Sequence, residues 1–257
     1  GFQNTYGGGS TDAFLVKFAA SGARLWATYY GGTGNDYGTA AATDASGNIY
    51  LAGTTSSTVG IASGGFQNTF GGGVVAFLAK FDAAGSRLWA TYYGGATSDY
   101  GNSVATDASG NVYLAGLTTS ATGIASMGFQ NTIGGGNDAF LVKFNAVGNR
   151  YCATYYGDSG DDQGISVATD AAGSVYLGGY TDAASGIASG GFQNTYGGGT
   201  YDAYLVKFTS CALTSVAENQ LPGPVNIYPN PSADRFTVSG NYDIKIYNLL
   251  GEIIFRQ

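Results

Sequence analysis

The pentapeptide Gly-Phe-Gln-Asn-Thr occurs four times in this chain, at 1–5, 65–69, 128–132 and 191–195. Its phenylalanines, Phe2, Phe66, Phe129 and Phe192, lie 64, 63 and 63 residues apart. Three other blocks keep the same period. DAFLVKF at 12–18 returns as VAFLAKF at 75–81, DAFLVKF at 138–144 and DAYLVKF at 202–208. RLWATYYGG at 24–32 returns at 87–95 and, altered, as RYCATYYGD at 150–158. ATDASGNIYLAGTT, ATDASGNVYLAGLT and ATDAAGSVYLGGYT begin at Ala42, Ala105 and Ala168. A period held by four blocks makes one supersecondary unit per repeat, each burying its apolar faces against its neighbours.

Each unit holds four strand candidates, here A to D. They are the segment ending in Ala-Thr-Asp (38–44), NIYLAGTT (48–55), AFLAKF (76–81) and RLWATYY (87–93). In C, Phe77, Ala79 and Phe81 fall on one face, and Ala76, Leu78 and Lys80 on the other. In D, Leu88, Ala90 and Tyr92 alternate with Trp89, Thr91 and Tyr93. Both faces are largely apolar, so both must be covered. The runs are short and bounded by glycine, which excludes helices. The 44 glycines among 257 residues, with only 4 prolines, fit many tight turns. An apolar fraction of 44% is enough for a core and argues against disorder. Between A and B, Asp44, Asp107 and Asp170 open Asp-Ala-(Ser/Ala)-Gly turns whose Gly47, Gly110 and Gly173 supply positive φ. Four antiparallel strands with both faces covered describe a blade of a β-propeller. The predicted class is therefore all-β, with four-stranded blades of about 63 residues. The chain supplies C and D of one blade, two whole blades, and A, B and C of another. That predicts an open, incomplete arc, with further strands upstream.

These blocks resemble the SBBP family of β-propeller repeats over residues 1–208, and the A–B portion also looks like the NHL type of propeller strand pair. The resemblance implies an extracellular bacterial propeller without a known activity of its own. Residues 209–224 carry two of the four prolines and few strand signals, and read as a linker. Residues 225–257 are similar to the type A C-terminal sorting domain of the type IX secretion system. The matching residues are Tyr228, Pro229, Asn230 and Pro231, then Phe236, Ile246-Tyr247-Asn248 and Gly251. The later strands of that family are missing, so a partial, truncated β-sandwich is expected. The resemblance implies export by the type IX machinery to the extracellular space or outer-membrane surface. The expected role is that of a binding, adhesion or structural module.

Charge and composition exclude several classes. The net charge is −7 and no basic stripe exists, so nucleic acid is not an expected partner. No apolar run is long enough for a membrane helix, so no transmembrane segment is expected. With no histidine, the commonest general base and any Ser-His or Cys-His nucleophile are missing. The chain is therefore expected not to be an enzyme. The competing expectation is an extracellular propeller glycosidase or lyase whose active site lies in blades outside this sequence.

In an up-and-down blade, the B–C and D–A connections share one face. The long B–C connections carry Gln67 and Asn68, Gln130 and Asn131, and Gln193 and Asn194. The D–A loops carry Asp36 with Tyr37 and Asp99 with Tyr100. Amides, carboxylates and tyrosines on one face suit a polar polymer such as a glycan, or a protein ligand. The alternative is that the phenylalanines plug the gaps between blades and the loops are packed straps. No cofactor is expected. Were calcium bound, Asp158, Asp161 and Asp162 of the acidic third D–A loop would hold it, although turn capping is the commoner use of such aspartates. Lys17, Lys80, Lys143 and Lys207 read as side chains snorkelling from a blade edge. Cys152 stands where Trp26 and Trp89 do, and Cys211 can be read as the same position in a shortened fourth copy; the two read as free, partly buried thiols, the alternative being a disulfide between neighbouring blades, which needs Cα atoms within about 7 Å.

Overall fold

The computed structural model describes residues 1–209 and the strand residues 227–229, 236–238, 245–247 and 253–256. The chain divides into two compact units, Gly1–Thr214 and Ser215–Gln257. Among the described residues there is no helix.

In the first unit, β1 (Ala13–Phe18) and β2 (Arg24–Tyr30) form a hairpin, the C and D strands of a partial blade. A whole blade follows: β3 (Asp36–Thr43), β4 (Ile49–Thr55), β5 (Val75–Phe81) and β6 (Arg87–Tyr93), antiparallel in sequence order. The next has the same order: β7 (Asp99–Thr106), β8 (Val112–Thr118), β9 (Asp138–Phe144) and β10 (Arg150–Tyr156). The last described sheet has three strands, β11 (Asp162–Thr169), β12 (Val175–Thr181) and β13 (Asp202–Phe208). Strand order and strand count both agree with the repeat pattern.

Alternation along β5 explains where the core sits. Val75, Phe77, Ala79 and Phe81 pack with Ala13, Leu15 and Tyr30 of the preceding hairpin. Ala76 and Leu78 point the other way, to Leu114, Phe140, Val142 and Phe144 of the following blade. A third cluster joins Tyr113, Leu141 and Tyr156 to Val167, Leu177 and Phe208. Every core thus lies between consecutive sheets, as stacked two-faced blades require.

The A strands run side by side. Each has a bulge at the same place, between Gly38 and Ala40, Gly101 and Ser103, and Gly164 and Ser166. The extra residue of one strand reaches the next blade: the Thr39 hydroxyl donates to the Gly101 carbonyl at 2.6 Å, and Asn102 Nδ2 to the Gly164 carbonyl at 2.8 Å. Gly101 and Gly164 permit this approach, since a Cβ there would stand 2.6 and 2.7 Å from the carbonyl oxygens of Gly53 and Gly116.

At the other end of each blade, the A–B turn is built on its aspartate. Asp44 accepts from the backbone N–H groups of Ser46 and Asn48 and from Asn48 Nδ2 and the Tyr50 hydroxyl. Gly47 takes φ 78°. Lys80 lies 3.6 Å from Asp44, donates to the Ala146 carbonyl of the next blade and sits over the Tyr50 ring. It is buried. The snorkelling expectation is therefore wrong for Lys80: strand C carries its ammonium into a pocket with a carboxylate, a carbonyl and a ring to receive it.

In the second unit, β14 (Ile227–Pro229) pairs with β15 (Phe236–Val238), and β16 (Lys245–Tyr247) with β17 (Ile253–Arg256), both antiparallel. Tyr228 and Pro229 of the sorting motif lie in β14; Asn230, Pro231 and Gly251 lie outside the described residues.

Candidate binding face

The B–C connections do not hang free. In the β3–β6 blade, the connection crosses to the far edge and runs beside strand D. Ser63 and Ala90 exchange both backbone hydrogen bonds, and Tyr92 N–H donates to the Gln67 carbonyl at 3.0 Å. The same bonds join Ser126 to Ala153 and Gln130 to Tyr155 in the next blade, and Tyr29 donates to Gln3 in the first hairpin. Each strap caps the edge strand of its own blade and so hides a row of unpaired backbone groups.

The amides hold the strap in place. Gln67 Oε1 accepts from Gly94 N–H at 3.3 Å, and its Nε2 donates to the Thr69 carbonyl. Gln130 repeats this with Gly157 and Thr132, and donates also to Asp138. Asn68, Asn131 and Asn194 donate to the carbonyls of Gly65, Gly128 and Gly191, three residues back, closing local turns. In the last blade, Gln193 Nε2 donates to Thr195. Gln193 and Asn194 are exposed there.

The phenylalanines reach across to the following blade. Phe66 packs on Phe144, and the Arg150 guanidinium covers its ring at 4.3 Å. Phe2 does the same with Phe81 and Arg87, and Phe129 meets Phe208. Arg87 also donates to the Ile61 carbonyl, and Arg150 to that of Ile124. Tyr30 and Tyr93 donate to the same carbonyls from the preceding blade, each at 2.6 Å. The strap alternative thus describes Phe2, Phe66 and Phe129 and the glutamines Gln67 and Gln130, whereas Phe192 and Gln193 of the last strap are exposed. Sequence reading missed the arginines and the Gly-Ile-Ala-Ser tract at 60–63, 123–126 and 186–189, whose recurrence is the signal that finds them.

The D–A loop aspartates are buried. Asp36 accepts from the Thr55 hydroxyl, from Gly32 N–H at 2.8 Å and from the Ser57 hydroxyl at 2.8 Å. Asp99 accepts from Thr118, Gly95 and Ser120 in the same way. Burial pushes both carboxyls above their ordinary range, although the hydroxyl and backbone donors pull them back. Their side chains are enclosed, so a polymer on the surface does not meet them directly. Their neighbours face out: Tyr37 is 50% exposed and Tyr100 37%.

The three aspartates of the acidic loop are not gathered. Asp162 is buried and accepts from Asp158 N–H. The Thr181 hydroxyl also lies on it. Asp161 accepts from Asn137 Nδ2, and Asp158 from the Ser185 hydroxyl. Among the described residues, no group of three acidic or other metal-ligating side chains converges. Each carboxylate serves a different loop, which is turn capping.

Cys152 corrects another expectation. It is buried and disulfide-bonded, so it is not a free thiol. The other cysteine of the sequence, Cys211, lies outside the described residues.

Residues 25–60 and 88–123 match the beta-propeller repeat of the SBBP family, spanning strands D, A and B of two successive repeats. Residues 226–257 match the secretion system C-terminal sorting domain. The chain carries SBBP propeller repeats and a secretion sorting domain. It is also similar to an uncharacterized WD repeat-containing protein of Acanthamoeba polyphaga mimivirus, 27% identical over 247 residues. That match takes in 82% of this chain and 17% of the viral protein, so the chain spans about a sixth of its relative's length. With SBBP repeats and a sorting domain of this type, the protein is a secreted repeat protein exported by the type IX system. Among the described residues, no helix is long and apolar enough to cross a membrane.

Proposed function

We propose that this protein is a binding or adhesion module of the cell surface or extracellular space, which engages a polar polymer such as a glycan with the loop face of its blades. The observation that carries the reading is the pair Tyr37 and Tyr100. Each is exposed at the start of an inner strand, beside a buried, hydrogen-bonded aspartate, and the two hold the same position in successive blades. Flat rings repeated on rigid strands offer stacking surfaces, and aromatic side chains supply contact area with little loss of conformational freedom. The exposed Gln193 and Asn194 of the last strap add amide donors to that face. The non-enzymatic reading is supported by the absence of histidine and by the caps that occupy Asp36 and Asp99. Binding of the purified protein to immobilised polysaccharides tests it. The Tyr37→Ala/Tyr100→Ala double variant should lose attachment by about tenfold while unfolding at the wild-type midpoint. Undiminished attachment by the folded variant overturns the proposal.

A further inference from the structure

The aromatic station of the loop face is kept in the last blade by a change of strand. Tyr37 of β3 stands opposite Thr54 of β4, and Tyr100 of β7 opposite Leu117 of β8. In the last blade the same rung pairs Gln163 of β11 with Tyr180 of β12. Residues directly opposite in an antiparallel pair project from the same side of the sheet. The phenol is therefore not lost at Gln163. It has moved one strand across, on the same rung.

Two neighbours change with it. Tyr201 stands where the earlier repeats have Thr11, Val74 and Asn137. It is 47% exposed, and its ring meets that of Tyr180 edge-on, with centroids 5.0 Å apart. Asp182 stands where the earlier repeats have Ser56 and Thr119. Those hydroxyls accept from Asn35 N–H and Ser98 N–H, and Asp182 accepts from Asp161 N–H at 2.6 Å. A carboxylate thus keeps the loop bond of the hydroxyl and brings a second acceptor oxygen. It lies two residues beyond Tyr180, in an exposed position. The Tyr196 hydroxyl is pushed up, first by desolvation and then by Asp202, Asp182 and Tyr201, which gathers these groups at one end of the blade.

We propose that Tyr180 and Tyr201 form a third stacking station, with Asp182 beside it as an acceptor for ligand hydroxyls. The loop face then offers rings on three successive blades, and the ligand is an extended, hydroxyl-rich polysaccharide that spans them, not a single sugar or a chain end. The inference rests on the reading that this face binds a glycan. Flat rings receive the C–H face of a sugar ring, while a carboxylate accepts charge-assisted bonds from its hydroxyls. Stations fixed on one scaffold act together: once one is occupied, the others are filled intramolecularly. Affinity therefore rises with chain length, and each station counts for more on a polymer than on a short fragment.

Retention of the purified protein on immobilised cellulose, xylan, chitin and mannan, beside binding of the disaccharide of each, tests the proposal. Tyr180→Ala/Tyr201→Ala should weaken retention on the polymer by about tenfold and leave disaccharide binding unchanged. Tyr180→Thr alone should weaken retention as well. Adding Gln163→Tyr to it rebuilds the rung of the first blade, Tyr37 opposite Thr54, and should regain most of the loss. Full retention of a folded Tyr180→Ala/Tyr201→Ala protein, where Tyr37→Ala/Tyr100→Ala is weakened, overturns the third station and leaves the glycan reading standing. Retention on none of these polysaccharides overturns both. Equal losses on disaccharide and polymer overturn the spanning ligand, and a Gln163→Tyr change that regains nothing overturns the exchange of strands.

Discussion

The β3–β6 blade and the β11–β13 blade arise from nearly the same repeat, yet they finish differently. In the first, the strap lies against strand D: Gln67 bonds Gly94 and Tyr92, and Phe66 is wedged under Arg150 against the next blade. In the last, there is neither a described strand D nor a following blade. Phe192 is fully exposed, and a cavity of about 570 Å³ opens between 183–196 and β13, lined by Phe192, Gln193, Tyr196 and Leu205. One pentapeptide therefore has two environments in one molecule. The strap's order comes from what it covers and not from its own sequence.

The contrast breaks most sharply at the buried aspartates. Asp99→Ala strands a Thr118 hydroxyl, a Ser120 hydroxyl and the Gly95 N–H in the protein interior. It should cost about 3 kcal/mol. Asp162→Ala should cost less, about 2 kcal/mol, because Ala183 stands where the first two blades place Ser57 and Ser120. Urea titrations of both variants decide this, and equal losses would show that the last blade is as tightly built as the others.

A smaller difference is expected at the plugs. Phe66→Ala loses partial burial and a guanidinium contact, roughly 1.5 kcal/mol. Phe192→Ala should stay within about 0.5 kcal/mol of the parent, as surface substitutions do. If Phe192→Ala destabilises as much as Phe66→Ala, the exposed plug has a partner in solution.

The glutamines separate strap from binding face. Gln67→Ala should cost about 1 kcal/mol through the lost bonds to Gly94 and Thr69, whereas Gln193→Ala should leave the unfolding midpoint unchanged. Polysaccharide attachment measured on the same two proteins sharpens the test. A loss confined to Gln193→Ala would place binding on the open strap.

The smallest effect is the response to pH. Asp36, Asp99, Asp138 and Asp162 are raised by burial, so the folded state holds their protons more tightly than the unfolded chain. Stability should therefore rise modestly as pH falls from neutral toward the carboxylate range. Asp44 and Asp107 behave oppositely. Burial alone would raise them, but bonds from Asn48 and Tyr50, or Asn111 and Tyr113, and the nearby Lys80 or Lys143 hold them low. Stability gained from these two is present above the unfolded value and disappears as pH falls through the folded one. Denaturant midpoints across pH 7 to 3 should pass through a mildly acidic maximum; a monotonic fall from pH 7 would show that the turn aspartates dominate throughout.

Period and alternation carried most of the fold. Two apolar faces on VAFLAKF require a neighbour on each side, and β5 has both. The Asp-Ala-Ser-Gly turns were equally readable, because their bonds join residues two to six apart. The site was not. Asp36 is capped by Thr55 and Ser57, about 20 residues away, and nothing in the loop itself distinguishes a buried carboxylate from an exposed one. The strap's course beside strand D was hidden for the same reason: it follows from pairing between Ser63 and Ala90 rather than from local propensity. Lys80 looked like an edge residue because its partner Asp44 lies across strand B, beyond the reach of alternation arguments.

The placement of every core between sheets has a consequence for the order of assembly. A single repeat on its own has two greasy faces and no interior. It becomes stable only when the next repeat supplies a wall, and Tyr30 finds its acceptor only once Ile61 has been made. Growth therefore spreads from neighbour to neighbour, with each formed sheet acting as the template on which an adjacent one condenses. A sheet with one face still bare is the least protected from chaperones and proteases.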